Sequence, residues 1–504
     1  THLGGAYWDT DEGLNLMKGR LLGLGYPLYT RIWSDQPPGY TALLAGAFAV
    51  AGPSVAAARA VTLAFALGAA AAAAAVARRL GGGRAAMGAA AAALLLAPNA
   101  FWAARAAMIG LPALALATAA MAAALAFADG GRRRDLALAG LLLGLSATVK
   151  PIGAYLVAPI GLAIWLGRRR ARFAHLDAGA GVAGPAGRAR IGDAAAFVAG
   201  ALAPLALMLA WFDAGALLRQ VVGSVAAARA AAPLDLGWNA GKLIDWLVAR
   251  DLGRPGWAVA DHAFLVGPAA AGLVVALRRR PAVGGVVSAW LVVTLAALAL
   301  QNPLWPKHHF LALLVVLAPL YGVGLAWAAA TLAAAWRRRG QGPRAIVGPA
   351  GAAAALVVAA TLAGLPAAAR ADAARWRAVP LKESGKLPSH SESWRTLDEA
   401  VAFLRDHTAP GDWVVTDHAF VAFRADRPVP PELAVISSKR IATGALTDAD
   451  LIRVAGEAPA AAVLLWDGDR LQPSFPAFVD WVRWNYDPVA GAPAGWALWR
   501  RRAP

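Results

Sequence analysis

The sequence predicts a polytopic α-helical membrane protein with a small C-terminal α/β domain outside the bilayer. Of its 504 residues, 59% are hydrophobic and only 15% are charged, and the mean hydropathy is +0.53. Soluble domains have about 45–50% apolar and about 25% charged residues. The apolar residues form runs near the roughly 20 residues that cross a bilayer core, and short arginine clusters separate these runs. This composition excludes a water-soluble enzyme of this size.

About ten membrane spans are expected in this chain. They are placed at 54–77, 85–99, 110–128, 135–149, 152–167, 192–212, 263–277, 283–300, 309–333 and 346–366. The chain begins at Thr1 with no methionine and no apolar leader. A multi-spanning protein needs a first inserting segment, so we expect one further span before residue 1.

The arginine clusters predict which loops share a side of the membrane. The net charge is +18, but its arginines lie between apolar runs, which is typical of cytoplasmic loops and argues against nucleic-acid binding. If these clusters are cytoplasmic, the outer segments are 1–53, 100–109, 150–151, 213–262, 301–308 and everything after 367. We therefore expect an integral plasma (inner) membrane protein. The chain has no cysteine, which excludes disulfide and thiolate chemistry.

Three regions follow from this threading. Residues 1–53 form a first extracytoplasmic loop with amphipathic helices, 54–369 a transmembrane core, and 370–504 an extracytoplasmic α/β domain. Within the loop, 39–51 is an apolar helix too short to span, so it is placed at the interface. Strands are predicted at 413–416, 433–436 and 461–466. Capping boxes are predicted at 396–399 and, more weakly, at 447–450.

Three carboxylates lie within four positions of the first loop: Asp9, Asp11 and Glu12. One interpretation is a general base, with a divalent metal as a further option. The alternative is a solvated loop whose acids cap a helix. Tyr7 and Trp8 beside them suit an interfacial belt and equally a sugar-stacking surface.

Six features in order along the chain resemble the GT-C superfamily of membrane glycosyltransferases, in particular the family 39 protein-mannosyltransferases and the aminoarabinose transferases. They are the Asp11-Glu12 pair, the segment Asp35-Gln36-Pro37-Pro38-Gly39-Tyr40, Ala57-Ala58-Arg59, the stretch from Arg105 to Pro112, Thr148-Val149-Lys150-Pro151, and the stretch from Asn302 to His309. The resemblance covers roughly residues 5–335. There are two departures: Gly110 stands where many members have an acid, and Gln36 where a lysine often precedes the prolines.

The resemblance implies transfer of a sugar from a polyprenyl-phosphate carrier to a lipid, glycan or protein acceptor on the outer face, with inversion. It implies that Asp11 is the catalytic carboxylate and Glu12 its neighbour. The further loop residues expected at the substrate are Tyr7, Asp9, Asp35, Gln36 and Tyr40.

Chemistry on such a donor requires cations that hold the phosphate as its charge grows. Two cationic sites, Lys150 and the Lys307-His308-His309 turn, fall on the side that the positive-inside rule disfavours. Together with Arg59 and Arg105 they are the candidate phosphate contacts. The alternative is that they snorkel to, or anchor at, the interface.

Two other classes of function compete with the enzyme. A transporter or flippase of lipid-linked saccharides would show paired half-helices with internal symmetry, and no such repeat is visible in the sequence. A structural protein with an outer binding domain would not depend on Asp11.

In the loop 213–262, amphipathic spacing predicts a helix over the outer surface, either interfacial or gating the acceptor. In the tail, Asp417-His418 and Asp467-Gly468-Asp469 stand out, the second most simply as a turn.

Overall fold

The protein is a helical bundle joined at one end to a small mixed domain. The computed structural model describes residues 10–177, 186–231, 233–248, 263–302, 304–337, 348–362, 394–458, 460–466 and 470–502. The first loop holds α1 (Thr10–Gly23) and α2 (Gly39–Ala51). The bundle is built from α3 (Val55–Arg79), α4 (Arg84–Leu96), α5 (Pro98–Ala104), α6 (Gly110–Gly130), α7 (Arg133–Val149), α8 (Val157–Asp177), α9 (Ala186–Trp211), α10 (Ala214–Leu218), α11 (Ser224–Ala231), α12 (Leu236–Val248), α13 (Ala263–Arg279), α14 (Pro281–Ala299), α15 (Pro306–His309), α16 (Leu311–Arg337) and α17 (Pro349–Leu362).

Each predicted span coincides with a helix. Within the described residues, five helices are long and apolar enough to cross a membrane. The count rises to six if α4 and α5, which are bent by 71° at their junction, form one broken span. The bend falls at Ala97-Pro98, where proline starts the new helix because it cannot donate to the previous turn. The polytopic helical membrane fold predicted from the sequence is confirmed.

Helices α7 and α9 associate through small residues. A Cβ at Gly140 would lie 2.0 Å from the carbonyl oxygen of Phe197, and one at Gly200 would lie 2.3 Å from that of Ala137. Side chains at either position would push the two backbones apart. Such close approach is how helices gain dispersion energy in lipid, where burial from water does not drive association.

Arginine clusters gather at one end of the bundle. Arg79 and Arg280 both pair with Asp129, at 3.3 and 3.6 Å. Arg133 pairs with Asp193 at 2.9 Å. Arg79, Arg133 and Arg280 therefore each have an acidic partner on another helix.

The C-terminal domain is a four-stranded sheet covered by helices. The helices are α18 (Trp394–Asp406), α19 (Ala419–Arg424), α20 (Ser438–Ala442), α21 (Asp448–Glu457), α22 (Leu471–Ser474) and α23 (Pro476–Asn485). The strands are β1 (Val414–Val415), β2 (Ala462–Trp466), β3 (Tyr486–Pro488) and β4 (Trp496–Arg501), in the order β1-β2-β4-β3. The pair β1–β2 is parallel, and the other two pairs are antiparallel.

One local prediction for this domain is wrong, and one is confirmed. Residues 433–436 form no strand: a 3₁₀ turn, Pro431–Leu433, ends there, and the preceding run is rich in proline, which lacks the N–H that a ladder needs. Thr396 lies within α18, which is described from Trp394, and its side chain lies outside the described residues. Thr447 does cap α21, and Asp450 completes the capping box.

Candidate functional site

The two adjacent acids of the first loop face different surroundings. Glu12 is fully buried and receives two hydrogen bonds from Arg59, with Nε at 2.7 Å from Oε1 and Nη2 at 2.8 Å from Oε2. The backbone N–H of Ala107 donates to the same Oε1 at 2.8 Å. Asp11 is exposed in the first turn of α1, where the helix dipole favours a negative charge. Glu12 is thus a tethered carboxylate and Asp11 an accessible one.

Helical geometry explains this separation. Consecutive residues on a helix point about 100° apart, whereas residues three or four apart share a face. Asn15 follows Glu12 on the buried face and donates to the Ala107 carbonyl at 3.0 Å. Both side chains therefore fix α1 to the loop between α5 and α6, which contains Arg105. The Arg105 guanidinium lies over the Phe101 ring at 5.4 Å.

Lys18, two turns after Asp11, was not singled out from the sequence. It is buried, and its Nζ lies 3.5 Å from the Ser34 hydroxyl. Burial lowers the pKa of Lys18, and the nearby carboxylates of Asp35 and Asp11 oppose this shift. The seven-residue spacing from Asp11 is the signal that could have placed it on the same face.

Asp35 lies between two lysines. Its Oδ2 accepts from Lys439 Nζ of α20 at 2.5 Å, and the charge of Lys18 also acts on it. Burial alone would raise the pKa of Asp35, but the Lys439 ammonium and Lys18 bring this pKa below its usual value. Asp35 is therefore an ionised link between the first loop and the C-terminal domain.

The segment before the two prolines is fixed by its own backbone and by a distant side chain. Tyr29 has a φ of 71°, which is uncommon for a residue other than glycine, and its hydroxyl donates to the Gln36 carbonyl at 2.9 Å. Gln220 receives the Ser34 N–H at 2.9 Å and donates to the Tyr29 carbonyl at 2.6 Å. Gln220 belongs to a π-helical turn, Arg219–Gly223, of the kind often found at functional sites.

Gly39 brings this segment against the Lys150 hairpin. A Cβ at Gly39 would lie 2.7 Å from the Thr148 carbonyl oxygen and 2.9 Å from its Oγ1. Lys150 is the residue between α7 and a 3₁₀ turn, Pro151–Leu156, that leads into α8. One residue further, the Tyr40 hydroxyl shares a hydrogen bond of 2.7 Å with Thr62. Two motifs more than 100 residues apart in sequence thus touch through backbone.

A cavity of about 320 Å³ lies beside this hairpin. Its polar lining comes from Tyr155, Arg229, Thr294, Gln301 and His309. The His309 Nδ1 accepts from the Trp305 N–H at 3.0 Å, so the neutral ring carries its proton on Nε2. Lys150 and His308 are close enough to His309 to act on its charge. The cavity lining therefore combines hydrogen-bonding side chains with apolar ones, among them Ile152 and Leu298.

The amphipathic helix predicted in 213–262 is present as α12. Asn239 fixes it by donating to the carbonyls of Ala299 and Gln301, at 2.8 and 2.7 Å, beside the cavity. Its Trp238 ring lies 4.7 Å from the Lys242 ammonium.

Some predicted residues lie outside the described part of the chain. Tyr7 and Asp9 are among them, as is the Asp467-Gly468-Asp469 turn; for Lys307 the helix α15 is described but not the side chain. Within the described residues, no group of three His, Asp or Glu side chains could hold a metal ion. Asp417 and His418 are both buried within the C-terminal domain, where Asp417 accepts from Trp466 Nε1 at 2.7 Å.

Comparison with known proteins gives a family-model match to part of the chain and a shared fold. Residues 35–183 match the family model of dolichyl-phosphate-mannose-protein mannosyltransferases. No curated protein sequence matches the chain. The fold is similar to that of ArnT from Cupriavidus metallidurans bound to undecaprenyl phosphate, with a TM-score of 0.60 and 15% identity over 99% of this chain and 95% of that one. The apo form of that ArnT matches with a TM-score of 0.60 and 14% identity, over 98% and 94%.

An archaeal enzyme has the same arrangement. The oligosaccharyltransferase AglB from Archaeoglobus fulgidus, in complex with an inhibitory peptide and a dolichol-phosphate, matches with a TM-score of 0.50 and 13% identity, over 99% of this chain and 71% of that one. The resemblance to GT-C membrane glycosyltransferases predicted from the sequence is confirmed.

Proposed function

We propose that this chain, which has the fold of GT-C membrane glycosyltransferases, transfers a sugar from a polyprenyl-phosphate carrier to an acceptor on the extracytoplasmic face. The observation that carries the proposal is that two neighbouring acids differ in burial and hydrogen bonding. Glu12 is held by Arg59 and the Ala107 N–H, while Asp11 stays accessible at the start of α1. A carboxylate that must accept a proton needs to be reachable by the acceptor, and the exposure of Asp11 supports that role.

The reaction needs one base and a set of phosphate contacts. The acceptor oxygen attacks C1 of the sugar, its proton passes to Asp11, and the bond from C1 to the phosphate oxygen breaks. The carrier phosphate leaves with the electron pair and the added negative charge, so no strong general acid is required. General-base assistance of this kind contributes about 10²–10⁴-fold. Attack opposite the leaving group inverts the configuration at C1.

The cavity beside Lys150 suits the carrier phosphate. His309 lines it and carries Nε2–H as a donor, and Lys150, next to the lining residue Pro151, is close enough to act on the charge of His309. We assign the phosphate contacts to Lys150, His309 and, by position in the chain, Lys307 and His308. Charge-assisted donors in a water-poor site stabilise a developing phosphate charge strongly.

Arg59 receives a different role from the one that the resemblance implies. Both hydrogen bonds that it makes to Glu12 are buried, and its side chain is 1% exposed. We propose that Arg59 positions Glu12, which in turn holds the Ala107 loop against α1. Arg105, on that loop, remains a candidate phosphate contact.

The sidedness in this proposal rests on contacts among the predicted outer segments. Within the described residues, α1 contacts Ala107, Gly39 contacts Thr148, and Asn239 contacts Ala299 and Gln301. These segments form one end of the bundle. The arginine pairs of Asp129 join a separate set of helix ends. We infer that the first end faces the extracytoplasmic side of the plasma (inner) membrane.

The test is an assay of the purified protein with a panel of polyprenyl-phosphate sugars. Asp11→Asn should lower sugar transfer or release by at least about 100-fold without changing the melting temperature. A useful comparison is Asp245→Asn on α12, an acid whose Lys242 partner lies 3.9 Å away. Transfer that survives in Asp11→Asn would remove Asp11 from the mechanism. Movement of intact lipid-linked saccharide across vesicles, without sugar transfer, would favour a flippase.

A further inference from the structure

The C-terminal domain contacts the first loop through charged side chains. Lys439 binds Asp35, Arg31 Nε lies 2.5 Å from Glu432 Oε1, and Arg20 Nη2 lies 2.6 Å from Asp426 Oδ1. The Arg440 guanidinium lies 5.3 Å from the centre of the Trp33 ring. These contacts surround the segment that leads into Pro37 and Pro38.

The Asp35–Lys439 pair differs from the other two pairs in its burial. The Asp35 side chain is 17% exposed and that of Lys439 is 30% exposed, whereas Asp426 is 64% exposed and Arg31 is 52% exposed. Exposed ion pairs contribute little to stability, but a charge left alone in a buried site is costly. Loss of Lys439 would therefore leave the Asp35 carboxylate without its ion-pair partner in a largely buried site. Loss of the Arg31–Glu432 or the Arg20–Asp426 pair would have a smaller effect on the position of the first loop.

Local structure fixes where Lys439 points. Ser437 caps α20 by accepting from the Arg440 N–H at 3.2 Å, so Lys439 lies in its first turn. Arg440, the next residue, donates to the carbonyls of Glu432 and Val435, at 2.6 and 3.0 Å. These hydrogen bonds fix the position of α20, from which Lys439 reaches Asp35 in the first loop.

The segment 34–39 connects the Asp35–Lys439 pair to the Lys150 hairpin beside the cavity. Asp35 is four residues before Gly39, and Gly39 packs directly against Thr148, two residues before Lys150. On the opposite side, Gln220 binds Ser34 and Tyr29. The segment 34–39 is thus clamped between two distant parts of the chain, and its far end lies against the hairpin of a candidate phosphate contact.

We propose that Lys439 is a positioning residue of the reaction site: by holding Asp35 it fixes the segment 34–39, and through Gly39 and Thr148 it places Lys150 at the carrier phosphate. The kinetic part of this inference rests on the proposed function. The C-terminal domain is then part of the donor site and not an independent binding module. Lys439 acts through Asp35 and does not itself touch the reacting atoms.

A labelling experiment tests the structural step without relying on activity. Because the chain has no cysteine, Gln36→Cys creates a single thiol in the clamped segment. Maleimide labelling, followed by intact mass, should be severalfold faster when Lys439→Gln is added. Lys439→Arg should restore the slow rate. Asp426→Asn, which removes another ion pair across the same interface, should leave the rate unchanged, and asparagine tolerates the φ of 61° at that position.

A kinetic experiment tests the consequence. Lys439→Gln, in the cysteine-free chain, should raise KM for the polyprenyl-phosphate donor by about 10- to 100-fold, with a smaller change in kcat. If Lys439→Gln does not fold, Asp35→Asn removes the same pair from the other side. Equal labelling and equal KM in Lys439→Gln and the parent would overturn the proposal, and so would equal effects of Asp426→Asn. If no donor in the panel is used, the proposed function fails while the labelling still decides the role of Lys439.

Discussion

Glu12 and Arg59 form a bidentate ion pair that is almost completely removed from solvent, with distances of 2.7 and 2.8 Å. A buried pair is a poor source of net stability but is costly to break on one side. Arg59→Met should therefore lower the free energy of unfolding by about 3–5 kcal/mol, which thermal unfolding in detergent would detect. The double variant Glu12→Leu with Arg59→Met should be more stable than Arg59→Met alone. If the double variant is less stable than Arg59→Met, the cost of Arg59→Met does not come from leaving the Glu12 charge buried without its partner.

Gly39 should not tolerate a side chain. Its Cβ would meet the Thr148 carbonyl at 2.7 Å, and overpacking of this kind costs about 1–3 kcal/mol. We expect Gly39→Ala to lower the melting temperature and to raise KM for the donor. Gly46 lies on the same helix with open space around it. Gly46→Ala should be neutral or stabilising by up to about 1 kcal/mol, because alanine is the better helix former. Equal effects of the two substitutions would contradict the close contact.

The sequence predicts the helices of the bundle well, because long apolar runs and arginine clusters are strong, repeated signals. It also identifies Asp11, Glu12, Lys150 and His309 as candidates. The residue pattern by itself does not separate Asp11 from Glu12, as the family resemblance does, since that depends on which face of α1 packs against Ala107, 95 residues away from Glu12. Composition alone does not pair Asp35 with Lys439, because 404 residues separate them.

The strand predicted at 433–436 shows a different limit. Apolar residues in a short run favour a strand, but they equally suit any buried segment. The prolines at 428, 430 and 431 were the stronger signal, because proline cannot supply a ladder hydrogen bond. The residues are buried as the run suggests, yet they are packed without a partner strand in the described sheet.

His418 makes the C-terminal domain sensitive to acid. Burial lowers its pKa to about 3, far below the usual value of about 6.5. The folded state therefore holds the neutral ring, and the unfolded state takes up a proton first. This contribution is complete above about pH 6.5 and is lost as the pH falls toward 3, by up to about 1.4 kcal/mol per pH unit.

Two charged neighbours of His418, Asp417 and Arg470, also affect how the stability of the domain depends on pH. Burial raises the pKa of Asp417, which favours the fold at low pH and so acts in the opposite direction, and Arg470 faces both residues. We expect melting temperatures recorded from pH 7.5 to 5.0 to fall less steeply in His418→Leu than in the parent. Identical slopes would show that His418 does not set the acid sensitivity.

The cavity beside Lys150 offers a test that separates binding from stability. The Tyr155 hydroxyl and the Thr294 hydroxyl lie close together in its wall. Within the part of the chain that the structure describes, each hydroxyl has at most the other as a hydrogen-bond partner. A buried hydroxyl with an unused hydrogen-bonding position costs about 1–3 kcal/mol, so removal of the pair should not destabilise the protein. Hydroxyls kept at such a cost suit a ligand that accepts hydrogen bonds, such as a phosphate oxygen.

Tyr155→Phe and Thr294→Val should therefore leave the melting temperature unchanged or raise it, while KM for the polyprenyl-phosphate donor rises. Each lost hydrogen bond to a charged oxygen is worth about 1.5–3 kcal/mol, which corresponds to roughly 10- to 150-fold in KM. Tyr321→Phe is the matched control, because Tyr321 lies in α16 and does not line the cavity. A fall in melting temperature with unchanged KM would mean that the two hydroxyls serve the fold, and the donor phosphate would then have to bind elsewhere.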